Sequence, residues 1–137
     1  MATIISTNAT EGLNMLSGSQ FLFESQDPAG TNSTTSYSWL TSGGDDVQLS
    51  GSGITYSGGN PTGGTITSME FDLNNDNFAT PDYEITGMSA SLVTLALPPV
   101  GFSVPFLDEA FGGADTMNGS TFNDTLKGMG GNDSILG

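Results

Sequence analysis

The stretch AFGGADTMNGSTFNDTLKGMGGNDSILG, residues 110–137, carries three features that recur every nine positions. Asp stands at 115, 124 and 133. An apolar residue follows two places later, at Met117, Leu126 and Ile135, and Gly stands at 119, 128 and 137. Three features in phase over three periods spell the pattern G-G-x-G-x-D-x-U-x, in which U is apolar. A period of this form marks a parallel β-solenoid whose turns bind calcium.

With FNDTLKG and GNDSILG as its wording, the tail resembles the RTX family of secreted bacterial calcium-binding proteins. The resemblance implies a parallel β-roll in which each nonapeptide supplies a six-residue turn and a three-residue strand, with two nonapeptides to a coil. Turns on one side then lie eighteen residues apart, so 110–115 stacks on 128–133 and Met117 on Ile135, while Leu126 falls in the opposite row. The ion would sit between two stacked turns. The aspartates Asp115, Asp124 and Asp133, with the backbone around Gly113, Gly119, Asn123, Gly128, Gly131 and Asn132, would supply the six to eight oxygen ligands that calcium takes. Gly serves there because the carbonyls must turn inward through backbone angles closed to other residues.

The family's Gly positions hold Ala110, Phe111, Ser120, Phe122 and Met129 in this chain. On this reading one site closes between the turns of Asp115 and Asp133. The turn of Asp124 has no following partner, and the array stops in mid-coil. Solenoid units cannot bury their apolar face alone, and roughly three or more are needed for stability. Either a longer chain continues the roll or another subunit completes it, which makes self-association through the open end an expected property.

The whole composition agrees with a metal-dependent fold. The 137 residues hold one Lys, no Arg and fifteen acids, a net charge of −14. Almost nothing is present to neutralise phosphate, so nucleic acid is excluded as a partner, and anionic membranes by the same reasoning. No run approaches the 18 apolar residues of a spanning helix, so no membrane insertion is expected. Uncompensated carboxylates should loosen the metal-free state, and divalent cations would relieve that repulsion. That points to a calcium-rich place outside the cell.

The chain has neither Cys nor His. Zinc sites, Cys–His dyads and Ser–His–Asp triads cannot be built from it. The paired acids Asp45-Asp46 and Asp108-Glu109 carry no recognisable glycosidase arrangement, and no enzymatic activity is expected. The N-terminus MATIISTNATEGLNML lacks the positive charge and long apolar core of a cleaved signal peptide. Type I secretion is what the resemblance implies. Its C-terminal signal is not visible after the repeats, so either the sequence is an N-terminal portion of a longer secreted enzyme, toxin or adhesin, the favoured reading, or export differs.

Along the chain, an all-β N-terminal region over 1–106 is expected to continue without a linker into the repeats at 107–137. Thr3–Ser6, parts of Gly12–Glu24, Tyr37–Leu40 and Tyr83–Gly87 read as strands. Asp27–Ser36 and Ser42–Asp46 read as loop and turn. Val47–Leu73 reads as a hairpin around the long connection Gly58–Gly64, and GSGITYSGGNPTGGTITSM resembles segments that precede such arrays. Ser89–Leu97 fits either a short helix or a buried strand, and Pro98-Pro99 ends it. Phe102, Val104 and Phe106 alternate, which predicts a strand packing on the first coil.

Two further patterns stay open. Asp72, Asn74 and Asp76 have the spacing that opens a calcium loop, but the twelfth position is Tyr83 where a bidentate Glu is required. An Asn/Asp-rich turn explains them as well as a second metal site does. Tyr37, Trp39 and Tyr56 fit a sugar-binding platform or ordinary packing. The sequons at Asn8 and Asn32 are short patterns and carry no argument.

Overall fold

The hairpin expected over Val47–Leu73 is the spine of the fold. In a computed structural model, β4 (Asp46–Ser57) and β5 (Asn60–Asp72) pair antiparallel over nearly their whole length. The structure describes residues 1–7, 9, 11–15, 23–26, 32–41, 45–73, 79–93 and 104–137. The connection is much tighter than the long loop expected. Gly58 and Gly59 alone form it, with φ of 60° and 86°, the two left-handed residues that a twist-matched hairpin turn requires. Pro61, Gly63 and Gly64 belong to β5 instead. Pro61 is tolerated there because β6 pairs with β5 only from Thr65 onward, so no ladder bond is lost on that side.

Around this hairpin stand β1 (Thr3–Ser6), β2 (Phe23–Gln26), β3 (Ser36–Thr41), β6 (Tyr83–Ser91), β7 (Thr116–Asn118) and β8 (Ser134–Leu136). They form one eight-stranded sheet in the order β2-β3-β4-β5-β6-β1-β7-β8. Pairing is antiparallel from β2 to β1, then parallel from β1 to β7 and β7 to β8. The chain is therefore mostly β-sheet, as its composition implies. The sheet is mixed, however, and is not a solenoid. The two short repeat strands cannot cover their own apolar faces, and the strand preceding them in space is β1, which also pairs antiparallel with β6.

One row of side chains shows what the sheet is built to bury. Tyr37, Leu49, Met69, Ile85, Ile4 and Met117 are successive cross-strand partners from β3 to β7, and all six are buried. The row ends at Ile135 on β8, which is 47% exposed. Each fully buried side chain of this size contributes about 1.5–3 kcal/mol of apolar burial. The row thus spans the N-terminal region and the first repeat strand, and runs out at the last strand.

The strand expected over Val100–Phe106 is corrected. Residues 100–103 lie outside the described set, and Val104–Ala110 is a helix, α1. Pro105 fits the first helical turn, where its missing N–H costs nothing. Leu107, Ala110 and Phe111 are buried at helical spacing, and α1 packs against β6. Three alternating residues were too few to separate the two periods. Of Ser89–Leu97, residues 89–91 extend β6, and 94–97 lie outside the described residues.

Candidate metal centre in the stacked terminal turns

The eighteen-residue register is present in the backbone. Thr116, Met117 and Asn118 are the parallel partners of Ser134, Ile135 and Leu136. The turns before these strands stack in the same register. Gly130 N–H donates to the Phe111 carbonyl at 3.4 Å, Asp115 N–H to Asp133 Oδ1 at 3.0 Å, and Ser134 N–H to the Asp115 carbonyl at 2.8 Å. Gly131, with φ of 114°, lies so close to the upper turn that a Cβ there would stand 2.0 Å from the Gly113 carbonyl oxygen. Only Gly allows that approach at that angle.

The departures from Gly each have a local reason. Ala110 and Phe111 complete the end of α1, with Phe111 N–H bonded to the Leu107 carbonyl and its ring in the core. Met129 packs against the core from a left-handed backbone with φ of 60°, a conformation costing a non-Gly residue about 1–2 kcal/mol. Phe122 is about half exposed. Ser120 binds the carboxylate of its own turn, through its N–H at 2.6 Å and its hydroxyl at 3.1 Å to Asp124 Oδ2.

The aspartates of the two turn rows have unlike surroundings. Asp115 is 3% exposed; its Oδ1 accepts the Ala2 N–H and lies 4.0 Å from the N-terminal ammonium. Its Oδ2 is buried with no hydrogen-bond partner. A buried polar oxygen left unbonded is costly unless a donor or a cation meets it. Asp133 is partly exposed; its Oδ1 accepts from Asp115 N–H, with Oδ2 close over Gly128 of its own turn.

Asp124 by contrast is fully engaged. Its Oδ1 accepts from Leu13 N–H at 2.7 Å and from the Tyr83 hydroxyl at 2.9 Å, and Oδ2 accepts from Ser120. Burial works against its charge, but the N–H groups of Leu13 and Ser120 and the hydroxyls of Tyr83 and Ser120 outweigh it and hold its carboxyl below the usual value. Burial and the adjacent carboxylate push Tyr83 up to about 12.

Asp133 turns its carboxylate to the 110–115 turn, while the Asp115 carboxylate meets Met1 and Ala2 through Oδ1 and keeps Oδ2 orphaned; with the Gly-rich backbone carbonyls of the stacked turns, these are the donor types a hard divalent cation takes. Among the described residues no group of three or more acidic side chains converges on a point, so backbone oxygen would have to supply much of the shell. Of the second candidate loop, Asn74 and Asp76 lie outside the described residues. Asp72 is fully buried, the cross-strand partner of Asp46. Asp82, which the spacing argument passed over, is also fully buried and takes the Leu73 N–H on Oδ2 at 2.8 Å. Of the aromatic trio, the Trp39 side chain lies outside what the structure describes. Tyr37 is buried, its ring 6.2 Å from that of Tyr56, whose hydroxyl bonds the Ser33 and Ser36 carbonyls.

Sequence reasoning missed Ala2, Leu13 and Tyr83, which reach the repeats from elsewhere in the chain. Nothing in their spelling marks them. Ser120 could have been found, as a donor standing where the repeat has Gly.

The described residues hold no helix long and apolar enough to cross a membrane. No match to a curated protein or to a solved structure was found. Residues 109–137 match the family described as RTX calcium-binding nonapeptide repeat (4 copies), a calcium-binding motif typical of secreted bacterial proteins. The match leaves residues 1–108 unassigned, and over its own span it agrees with the eighteen-residue stack: residues 109–137 are a segment of RTX-type calcium-binding repeats.

Proposed function

We propose that the chain is a non-enzymatic, calcium-binding structural module of a secreted protein. Calcium held between the Asp115 and Asp133 turns orders the terminal repeats into the start of a parallel β-roll. The observation that carries this reading is the orphaned Oδ2 of Asp115, buried beside a stacked turn of the calcium-binding repeat type. The N-terminal ammonium lies 4.0 Å from Oδ1 of the same carboxylate and leaves Oδ2 without a hydrogen bond. Affinity in the range of extracellular modules, roughly 10⁻⁴ to 10⁻³ M, follows if the site resembles theirs.

The far end of the stack supports an assembly role. Ile135 and Leu136 are 47% and 65% exposed, and Phe122, Asn123, Asp124, Leu126, Ile135 and Gly137 line an open hollow there. β8 is an edge strand of the sheet, and edges of this kind invite strand addition. A further coil laid on this end would cover the hollow. Supplied by a neighbouring subunit, it gives head-to-tail contacts that need not close, and hence a filament or layer. Supplied by further sequence, it makes the repeats an export and calcium-triggered folding element of a larger type I-secreted protein.

Calcium titration followed by circular dichroism and sedimentation tests the reading. Added calcium should raise β-content, and EGTA should lower it and disperse any oligomer. Oligomers that survive EGTA would remove the calcium-dependent assembly role, and a flat titration would remove calcium binding.

A further inference from the structure

Three residues that share no spelling hold one structural position. Asp115 donates its N–H to Asp133 Oδ1 and accepts at its carbonyl from Ser134 N–H. Ala2 does the same one coil earlier, donating to Asp115 Oδ1 and accepting from Thr116 N–H. Leu13 does it on the opposite side, donating to Asp124 Oδ1 and accepting from Thr125 N–H. The strands that follow pair in parallel in each case: Thr3–Ile5 with Thr116–Asn118, and Asn14 with Thr125, where Met15 N–H also meets the Thr125 carbonyl. At Gly12 a Cβ would stand 2.1 Å from the Asn123 carbonyl oxygen, so this segment approaches the Asp124 turn as closely as Gly131 approaches the turn of Asp115.

We propose that residues 2–7 and 11–15 belong to a metal-free starting coil for the repeats, and that Asp124 is the peg that fixes it to the sheet rather than a calcium ligand. Ala2 and Leu13 stand where a repeat would put aspartate, so the starting coil brings no carboxylate to those two places. The oxygens of Asp124 are taken instead by Leu13 N–H, Ser120 and the Tyr83 hydroxyl, whose single proton is shared between Asp124 Oδ1 at 2.9 Å and the Glu11 carbonyl at 2.8 Å. One tyrosine of β6 thereby ties the sheet, the starting coil and the second repeat together. To serve a cation, the carboxylate would have to release several of these donors. The rung of Leu13 on Asp124 is consequently built by protein hydrogen bonds without an ion, and calcium acts only on the row of Asp115 and Asp133. That last clause rests on the calcium reading above; the starting coil does not.

Amide hydrogen exchange of the chain, in EGTA and in saturating calcium, tests this. The N–H groups of Leu13, Met15 and Thr125 should be protected in EGTA. Asp124→Ala should lower protection of Leu13 and Ser120 at least tenfold with or without calcium, while shifting the calcium midpoint less than twofold. Should Asp124→Ala fail to fold, Tyr83→Phe keeps the ring and removes one donor, and should lower protection at Leu13 several-fold in both conditions. Exchange of Leu13, Met15 and Thr125 that slows only on adding calcium would overturn the proposal. So would a tenfold rise in calcium midpoint for Tyr83→Phe or Asp124→Ala. Protection in EGTA with no calcium response anywhere would instead sink the calcium reading and leave the starting coil standing.

Discussion

Asp115 and Asp124 are nine residues apart, hold the same repeat position and face opposite conditions. Asp115 is buried with one oxygen unbonded, beside a Gly-rich turn that stacks on it. Asp124 is surrounded by donors from three places in the chain. A repeat position therefore specifies a residue type and a backbone path, and the neighbours decide whether the carboxylate is left for an ion or used as a staple. Gly113 and Gly131 leave room on one side, where Ser120 and Phe122 replace Gly on the other.

The largest effect should come from destroying the stack itself. Gly131→Ala sets a Cβ against the Gly113 carbonyl in a left-handed backbone. It should cost at least about 3 kcal/mol by urea unfolding and abolish calcium-dependent stabilisation with it. Next, Asp124→Ala leaves Leu13 and Ser120 N–H without their acceptor. A loss of about 2–3 kcal/mol is expected, equal in EGTA and in calcium. Asp133→Ala should behave in the reverse way, with a small loss in EGTA and most of the calcium increment gone.

Smaller shifts sharpen the contrast. Met129→Gly relieves a left-handed methionine and should stabilise the chain by about 1 kcal/mol, less whatever its core contact contributes. Acid should separate the two rows too. Because the folded-state carboxyl of Asp124 sits below its usual value, its charge stabilises the fold fully above the unfolded value of about 4. That contribution fades as pH falls through the lower folded value. In EGTA, the stability difference between wild type and Asp124→Asn should thus be constant above pH 5 and shrink toward pH 2. A difference that grows in acid would contradict the hydrogen-bonded staple.

Much of this was legible before any coordinates. The nine-residue period, together with the two repeats per coil that the family resemblance implies, set the register in which Met117 meets Ile135. The hairpin was legible in its strands but not in its turn, since Gly58-Gly59 and Gly63-Gly64 are equally plausible turn spellings and only pairing decides. The helix Val104–Ala110 hid behind three alternating apolar residues. Least legible was the contribution of residues 2–7 and 11–15. Ala2 and Leu13 act through backbone N–H and C=O groups, which every residue but proline carries, so no side-chain pattern announces them. Tyr83, read as the wrong residue for a calcium loop, turned out to serve Asp124 through its hydroxyl.

The most direct test of the contrast between the two rows is a calcium titration by calorimetry of wild type, Asp133→Ala and Asp124→Ala side by side. The account predicts a midpoint raised at least tenfold in Asp133→Ala and within twofold of wild type in Asp124→Ala. Equal shifts in the two variants, or a larger one for Asp124→Ala, would contradict it.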